Sequence, residues 1–242
     1  MRTLIISDIH ANLTALNTVI EHAGEVERVW CLGDVVGYGP SPNECIERIQ
    51  NLPDVTCIFG NHDAAAIGQI DIRTFNPEAR ISIEWLQSQL TEESLSFLRG
   101  LPDKVNIDQA TLAHGSPRQP VLEYLLDTQA ATENFDHFET DYCFVGHTHL
   151  PVVFHLKTND YISRLSIPVA NKQTELKIRT IINPGSVGQP RDRDPRAAYA
   201  VFDSNDNTWD YHRVEYDIPA VQKLMNAAGL PERHVLRLEG GW

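Results

Sequence analysis

The chain is short of several things at once. Only four of its 242 residues are cysteines (Cys31, Cys45, Cys57 and Cys143), and no two of them form a CxxC pair. That excludes a disulfide framework and a thiolate zinc knuckle, and it suits a reducing cytosol. Cys31, Cys57 and Cys143 sit within apolar runs, where a thiol is expected as a small buried hydrophobe. No apolar stretch approaches the roughly 20 residues that cross a bilayer. The opening residues meet an acid at Asp8 before a signal-peptide core can form. The expectation is a soluble, cytoplasmic protein with no membrane partner.

Positive charge is scarce: 20 Lys and Arg stand against 33 Asp and Glu, a formal net charge of −13. Such a chain repels phosphate backbones at long range, and it lacks a basic track with interleaved aromatics. Extended nucleic acid is therefore not expected as a partner, and long duplex DNA is a poor substrate. A bound metal can still reverse the field locally, so a small phosphate ester stays open. There is no Pro/Gly/Ser-rich linker, composition break, repeat or low-complexity tract, which predicts a single domain over residues 1–242.

What is present first is a rhythm. Apolar runs at 3–7, 26–32 and 55–59 read as buried strands. Between them, Leu13, Leu16, Val19, Ile20 and Ala23 recur at helical spacing up to Gly24, and Pro42 opens a helix with Cys45, Ile46 and Ile49 on one face. This βαβαβ pattern predicts parallel strands. Residues 64–98 read as helical, a segment able to cap a site, with Thr91 as an N-cap ahead of Glu92 and Glu93. Strands are expected at 104–107, 111–113, 142–145, 152–155, 176–182 and 197–202, with a helix at 128–138. The turn Ser204-Asn205-Asp206-Asn207 joins 197–202 to 208–214 as a hairpin, and a last helix covers 219–228 before Gly229. The predicted fold class is α/β (α+β): a two-sheet β-sandwich flanked by helices, four layers in all.

Five segments share one layout, an apolar run followed at once by metal-competent side chains. They are Asp8-Ile9-His10, Gly33-Asp34, Gly60-Asn61-His62-Asp63, His114-Gly115 and Gly146-His147-Thr148-His149. Parallel strands would bring their trailing loops to one sheet edge, where α/β sheets bind ligands. Carboxylate, amide and imidazole donors together suit Mn, Fe, Co, Ni or Zn better than an all-oxygen Ca or Mg cage. Taken singly, each segment has an ordinary explanation: Asp-x-His as a capped turn, Gly-Asp as a turn. The remaining histidines (His22, His137, His155, His212 and His234) read as ordinary side chains. Conjunction carries the argument, because five strand-end segments all share the same donor chemistry.

In this order the segments resemble the calcineurin-like metallophosphoesterase superfamily: Asp-x-His, Gly-Asp, Gly-Asn-His-Asp/Glu, a single His, then Gly-His-x-His. The stretches from Gly33 to Pro40 and from Asn183 to Gly188 look most like its small prokaryotic phosphodiesterase-type members. The resemblance implies two divalent transition-metal ions, with manganese the first candidate and Fe, Ni, Co or Zn the alternatives. Asp8, His10 and His149 would hold one ion, Asn61, His114 and His147 the other, and Asp34 would bridge. It implies hydrolysis of a small phosphodiester or related phosphate ester by a metal-activated hydroxide, with His62 as general acid and Asp63 orienting its ring. Tyr38, Ser186 and Arg191 are candidates for substrate contact. The amides of Asn183-Pro184-Gly185-Ser186 are a candidate phosphate cradle, and Asn43 and Arg196 are further pocket candidates that ordinary turns explain equally well.

Three other readings compete. A phosphomonoesterase or protein phosphatase is disfavoured by Asp63, where phosphoprotein phosphatases of the superfamily usually carry Glu, and by chain length. A non-catalytic scaffold would not need His62 and the whole ligand set. A nuclease would use the same residues but wants the missing basic track. Oligomeric state is not encoded in any of these motifs.

Overall fold

The computed structural model describes residues 1–242. In chain order the elements are β1 (Arg2–Ile6), α1 (Leu13–Ala23), β2 (Arg28–Cys31), α2 (Pro42–Gln50), β3 (Val55–Cys57), α3 (Asn61–Ala66), α4 (Pro77–Gln89) and α5 (Glu92–Arg99). β4 (Lys104–Ile107), β5 (Ala110–Ala113), α6 (Thr128–Asn134), β6 (Tyr142–Phe144), β7 (Val152–His155), β8 (Arg164–Ser166), β9 (Lys172–Glu175) and β10 (Thr180–Asn183) follow. The chain ends with β11 (Ala197–Asp203), β12 (Thr208–Val214), α7 (Ile218–Ala227) and α8 (Glu232–Gly240).

Two six-stranded sheets form, ordered β3-β2-β1-β11-β12-β9 and β4-β5-β6-β10-β7-β8. β1, β2 and β3 run parallel, as do β5, β6 and β10, while the remaining pairings are antiparallel. Side-chain alternation sorts the layers. Leu4 and Ile6 of β1, with Val29 and Cys31 of β2, pack beneath α1 and α2. Ile5 and Trp30 point the other way and meet Phe144, Phe202 and Trp209 between the sheets. Cys143 of β6 faces outward instead, against Ala131 of α6 and its neighbour Phe135. Helix, sheet, sheet and helix therefore stack in four layers, matching the expected sandwich. The central strands are continuous hydrophobic runs because both faces are buried. A fully buried aromatic such as Phe144 or Phe202 contributes roughly 1.5–3 kcal/mol by burial alone.

Several expected boundaries shift for physical reasons. The helical reading of 64–98 resolves into α3, a single 3-10 turn (Ile72–Thr74), α4 and α5, because Asn76-Pro77 and Thr91 each start a new helix through a side-chain cap. The expected helix at 128–138 is α6 followed by a 3-10 turn, Phe135–His137. Of the expected strand at 176–182 only the end forms, as β10, which pairs with β6; Leu176 is buried in the connection from β9, which pairs with β12 in the other sheet. The hairpin at Ser204 to Asn207 forms in register, with Asp203 facing Thr208. All four cysteines are buried and free.

α7 and α8 fold back as a helical pair whose Val221, Met225, Val235 and Leu238 form their own small core. Trp85 of α4 packs against it, and Ser82 of α4 bonds His234 of α8 (Oγ to Nδ1, 2.9 Å). No helix is long and apolar enough to cross a membrane.

Candidate metal centre

The loops after β1, β2, β3, β5 and β6 converge on one edge of the sandwich. Asp8, His10, Asp34 and His149 bring one donor atom each within 4.8 Å of one another, and Asp34, His114 and His147 do the same. Asp34 belongs to both groups. Its Oδ1 accepts the His62 backbone N–H at 2.8 Å, which leaves Oδ2 to face His10 Nε2 at 3.6 Å and His114 Nε2 at 3.4 Å. Asn61 Oδ1 lies 3.2 Å from His114 Nε2 and completes the second group.

The backbone is bent to place these atoms. Asp8, His10, Asp34, His147 and His149 all take left-handed conformations, with φ of 52°, 49°, 51°, 65° and 59°. Each costs on the order of 1–3 kcal/mol in a non-glycine residue, strain that folding alone does not require. Two glycines make room. A Cβ at Gly60 would sit 2.1 Å from Asp34 Oδ1, and one at Gly37, whose φ is +150°, would sit 2.3 Å from His10 Nδ1.

Hydrogen bonds fix which imidazole nitrogen points inward. His149 Nδ1 donates to the Gln189 carbonyl (2.5 Å) and His114 Nδ1 to the Leu32 carbonyl (2.8 Å). A carbonyl only accepts, so the proton sits on Nδ1 and the lone pair of Nε2 faces the site. His149 Nε2 then meets His10 Nε2 at 3.1 Å and Asp8 Oδ1 at 3.3 Å. His147 Nε2 is buried with no hydrogen-bond partner. Asp8 is held by the Ser7 hydroxyl (2.7 Å) and the His147 backbone N–H (3.1 Å), both on Oδ2. Metal-competent donor atoms thus crowd one buried volume, an arrangement that a cation would satisfy.

Charge balance agrees. Burial pushes Asp8 up to about 6 and lowers His10, His149 and His147, the last to about 3. Burial also opposes charge on His114, but the adjacent Asp34 outweighs it and raises that imidazole to about 10. For Asp34 burial works upward, and His114 outweighs it, holding the carboxyl well below its ordinary range. A positive charge at Asp34 is therefore what the site favours, whether a proton or a metal supplies it.

The neighbours divide into those that face this centre and those that frame it. Burial lowers the His62 imidazole to about 4. Its Nε2 is 3.0 Å from the Tyr38 hydroxyl, and its ring lies against Phe75, two residues before α4. Asp63 does not meet the His62 ring, contrary to expectation, and His62 Nδ1 has no partner. The Asp63 carboxylate instead takes the backbone N–H groups of Gly60, Val35 and Val36 at 3.0, 3.2 and 3.0 Å, tying the β2 and β3 loops together. Ser186 is also part of the frame: its hydroxyl donates to the Asp8 carbonyl at 2.7 Å and accepts the Gln189 N–H at 2.8 Å. The expected phosphate cradle is occupied, since the Gly185 amide bonds the Asn183 side chain and those of Val187 and Gly188 bond Ser7 and Asp8. Asn43 joins the α4–α5 junction through Gln89 and Thr91, and Arg196 pairs with Asp194. Arg191 lies over the Tyr38 ring at 5.6 Å.

Sequence reasoning passed over Ser7, Gln189 and Tyr124, whose ring stacks on His147 at 3.8 Å. Ser7 adjoins a segment already singled out and was findable. Gln189 acts through its backbone, and Tyr124 arrives by tertiary folding alone.

Comparison with known proteins agrees with this geometry. A metallophosphoesterase from Sphaerobacter thermophilus has a solved structure that superposes with a TM-score of 0.91 at 45% identity, over 100% of this chain and 99% of that one. An uncharacterized protein of Methanocaldococcus jannaschii is 36% identical over 235 residues, 94% of this chain and 93% of its own length. A symmetrical bis(5′-nucleosyl)-tetraphosphatase of Salmonella arizonae is 30% identical over 107 residues, and the chain spans only 38% of that enzyme. The model of the calcineurin-like phosphoesterase superfamily domain matches residues 1–207, which contain every residue of the centre. The chain belongs to the calcineurin-like phosphoesterase superfamily.

Proposed function

We propose that this protein is a dinuclear metal-dependent hydrolase of phosphodiesters or related small phosphate esters. The observation that carries the reading is Asp34, whose single oxygen Oδ2 serves two donor groups at once. Asp8, His10 and His149 would hold one divalent cation, Asn61, His114 and His147 the other, and Asp34 both. Manganese is the first candidate, with Fe, Ni, Co or Zn as alternatives, since the donors are mixed oxygen and nitrogen. Ions bound there would supply a water of lowered pKa and would neutralise charge on the phosphoryl oxygens.

The chain's own groups do the rest. His62 is placed to give a proton to the departing oxygen. Burial keeps its free imidazole neutral at pH 7, and an anionic ester arriving beside it favours the protonated form. Tyr38, 3.0 Å from His62 Nε2, positions the ring in the role expected of Asp63. Asp63 acts one step further back, by fixing the loops that carry Asp34 and His62. Phase separation from bulk water falls to the helices between Asn61 and Arg99, read as a cap within a single domain. Phe75 reaches His62 from that segment. We place the activity in the cytoplasm, in keeping with four unpaired cysteines.

The test is to load the protein separately with Mn, Ni, Co and Mg and to compare bis-p-nitrophenyl phosphate with p-nitrophenyl phosphate. Metal-dependent turnover that favours the diester is expected. His62→Ala should keep its metal content and lose about 10²–10⁴ in kcat. Equal trace activity with and without metal would sink the proposal.

A further inference from the structure

Beside His62 two guanidinium groups stand together. Arg191 Nη2 and Arg237 Nη1 both donate to one neutral acceptor, Gln189 Oε1, at 3.0 and 3.3 Å. The Nε of each is buried and has no partner. Neither arginine has a carboxylate. Glu78, near enough to Arg237 to act on its charge, is paired with Arg233 at 3.9 Å, and Asp192 next in the chain to Arg191 is paired with Arg213. In a chain of net charge −13, two adjacent cations without an acid between them are unusual. Burial, and after it the charge of Arg191, lower the pKa of Arg237.

The chain fixes this repulsion in place. Gln189 also accepts the His149 Nδ1 proton through its carbonyl, so one residue links the arginine pair to the candidate ligand set. Arg237 is braced from behind by the Trp242 ring at 5.3 Å, and Arg191 lies over the Tyr38 ring at 5.6 Å. Arg191 is near enough to Asp8, His10, His62 and His149 for its charge to act on each. A purely structural staple between α8 and the β10–β11 loop would be served better by an Arg–Glu pair than by two arginines on an amide. Two forks with free N–H groups suit a phosphate, which accepts bidentate bonds and cancels both charges.

We propose that Arg191 and Arg237, gathered on Gln189, form a subsite for a second phosphate of the substrate, next to the phosphate that reacts at Asp34 and His62. The proposal rests on the phosphoesterase reading and narrows it. The preferred substrate carries at least two phosphates, and α8 contributes directly to specificity.

Adenosine 5′-diphosphate and adenosine 5′-monophosphate differ by one phosphate and make the probe. Their binding to the metal-loaded protein is compared by calorimetry for the wild type, Arg191→Gln and Arg237→Gln. The wild type should bind the diphosphate about tenfold more tightly than the monophosphate. Arg237→Gln should bring that ratio near one while changing monophosphate affinity by less than about threefold. Arg191→Gln should do the same to the ratio, with a larger effect on the monophosphate because it lies nearer Tyr38. If Arg237→Gln does not fold, Arg237→Lys keeps the charge and stem without the fork and should show a reduced ratio. An unchanged ratio in the variants, or no diphosphate preference in the wild type, would overturn the subsite. The binding ratio needs no turnover, so a wild type inert toward bis-p-nitrophenyl phosphate would count against the hydrolase reading and leave the subsite to be judged separately.

Discussion

The two donor groups that meet at Asp34 are built differently. Asp8, His10 and His149 are sunk in the fold, behind the loop of Gly188 and Gln189 and the α7–α8 pair. His149 is fixed through Gln189, and Asp8 through Ser7 and His147. Across Asp34, His114 is equally fixed by Leu32, but His147 has a buried, unpartnered Nε2 and is stacked on by Tyr124, which is 49% exposed. Tyr124 rides on the irregular segment between β5 and α6 rather than on a sheet. Both groups thus stand on buried strand-end loops, but in the second one ligand, His147, is faced by a half-exposed aromatic ring from a surface segment. The difference predicts that a bound metal would exchange with solvent first at the His147 side.

The severest way to break this asymmetry is to remove what the halves share. Asp34→Asn keeps the shape and the bond from the His62 amide but removes the charge that both groups need. It should leave well under one tightly bound metal per chain and turnover at background, measured by elemental analysis after gel filtration and by diester assay. Retention of two metals would show that Asp34 does not join the groups. Next in size is the loss of one imidazole at a time. Altering even an orienting partner of a ligand costs about 10–100-fold in metal affinity, and losing the ligand should cost at least that. Chelation of the wild type should therefore run in two phases, fast for the His147 side and slow for the His149 side. His147→Ala should show only the slow phase and His149→Ala only the fast one. A single phase in the wild type would erase the contrast.

The same contrast separates what the sequence made legible from what it did not. Asp8, His10, Asp34, Asn61 and His114 stand directly behind apolar runs, so strand periodicity and donor type locate them together. The four-layer sandwich was readable for a related reason: central strands such as β1 and β11 are apolar on both faces. β8 and β9 escaped notice because all their residues are exposed and no alternation marks them. α8 hid because only Val235 and Leu238 of its sequence advertise an apolar face. Ser186 and Asp63 were assigned to the cleft because their neighbours lie there. Backbone amides, which have no sequence signature, claim both side chains. The framing of a site is a matter of hydrogen-bond accounting in three dimensions, and residue type alone does not supply it.

The smallest expected effect probes the weaker half at its root. Glu123 precedes Tyr124 and gathers Ser116, Arg118 and Asn134 onto its carboxylate, which fixes the surface segment that brings Tyr124 to His147. The bond from Arg118 is the main reason the carboxyl is held at about 2, below its ordinary 4.5. A depressed carboxyl stabilises the fold above its unfolded pKa, and the contribution fades as pH drops from about 4.5 towards 2. The Arg118 side chain is 31% exposed, and solvent screening keeps the net contribution small. Glu123→Gln should therefore lower Tm by about 2–4 °C at pH 7 in the metal-free protein. The gap should narrow steadily below pH 4.5 as the wild-type carboxyl is protonated. Metal release on the His147 side should quicken slightly, with the slow chelation phase unmoved. A melting gap as wide at pH 3 as at pH 7 would mean that the Glu123 charge does not hold the segment. The exposure of Tyr124 would then owe nothing to this anchor, and the difference between the halves would have to originate at His147 itself.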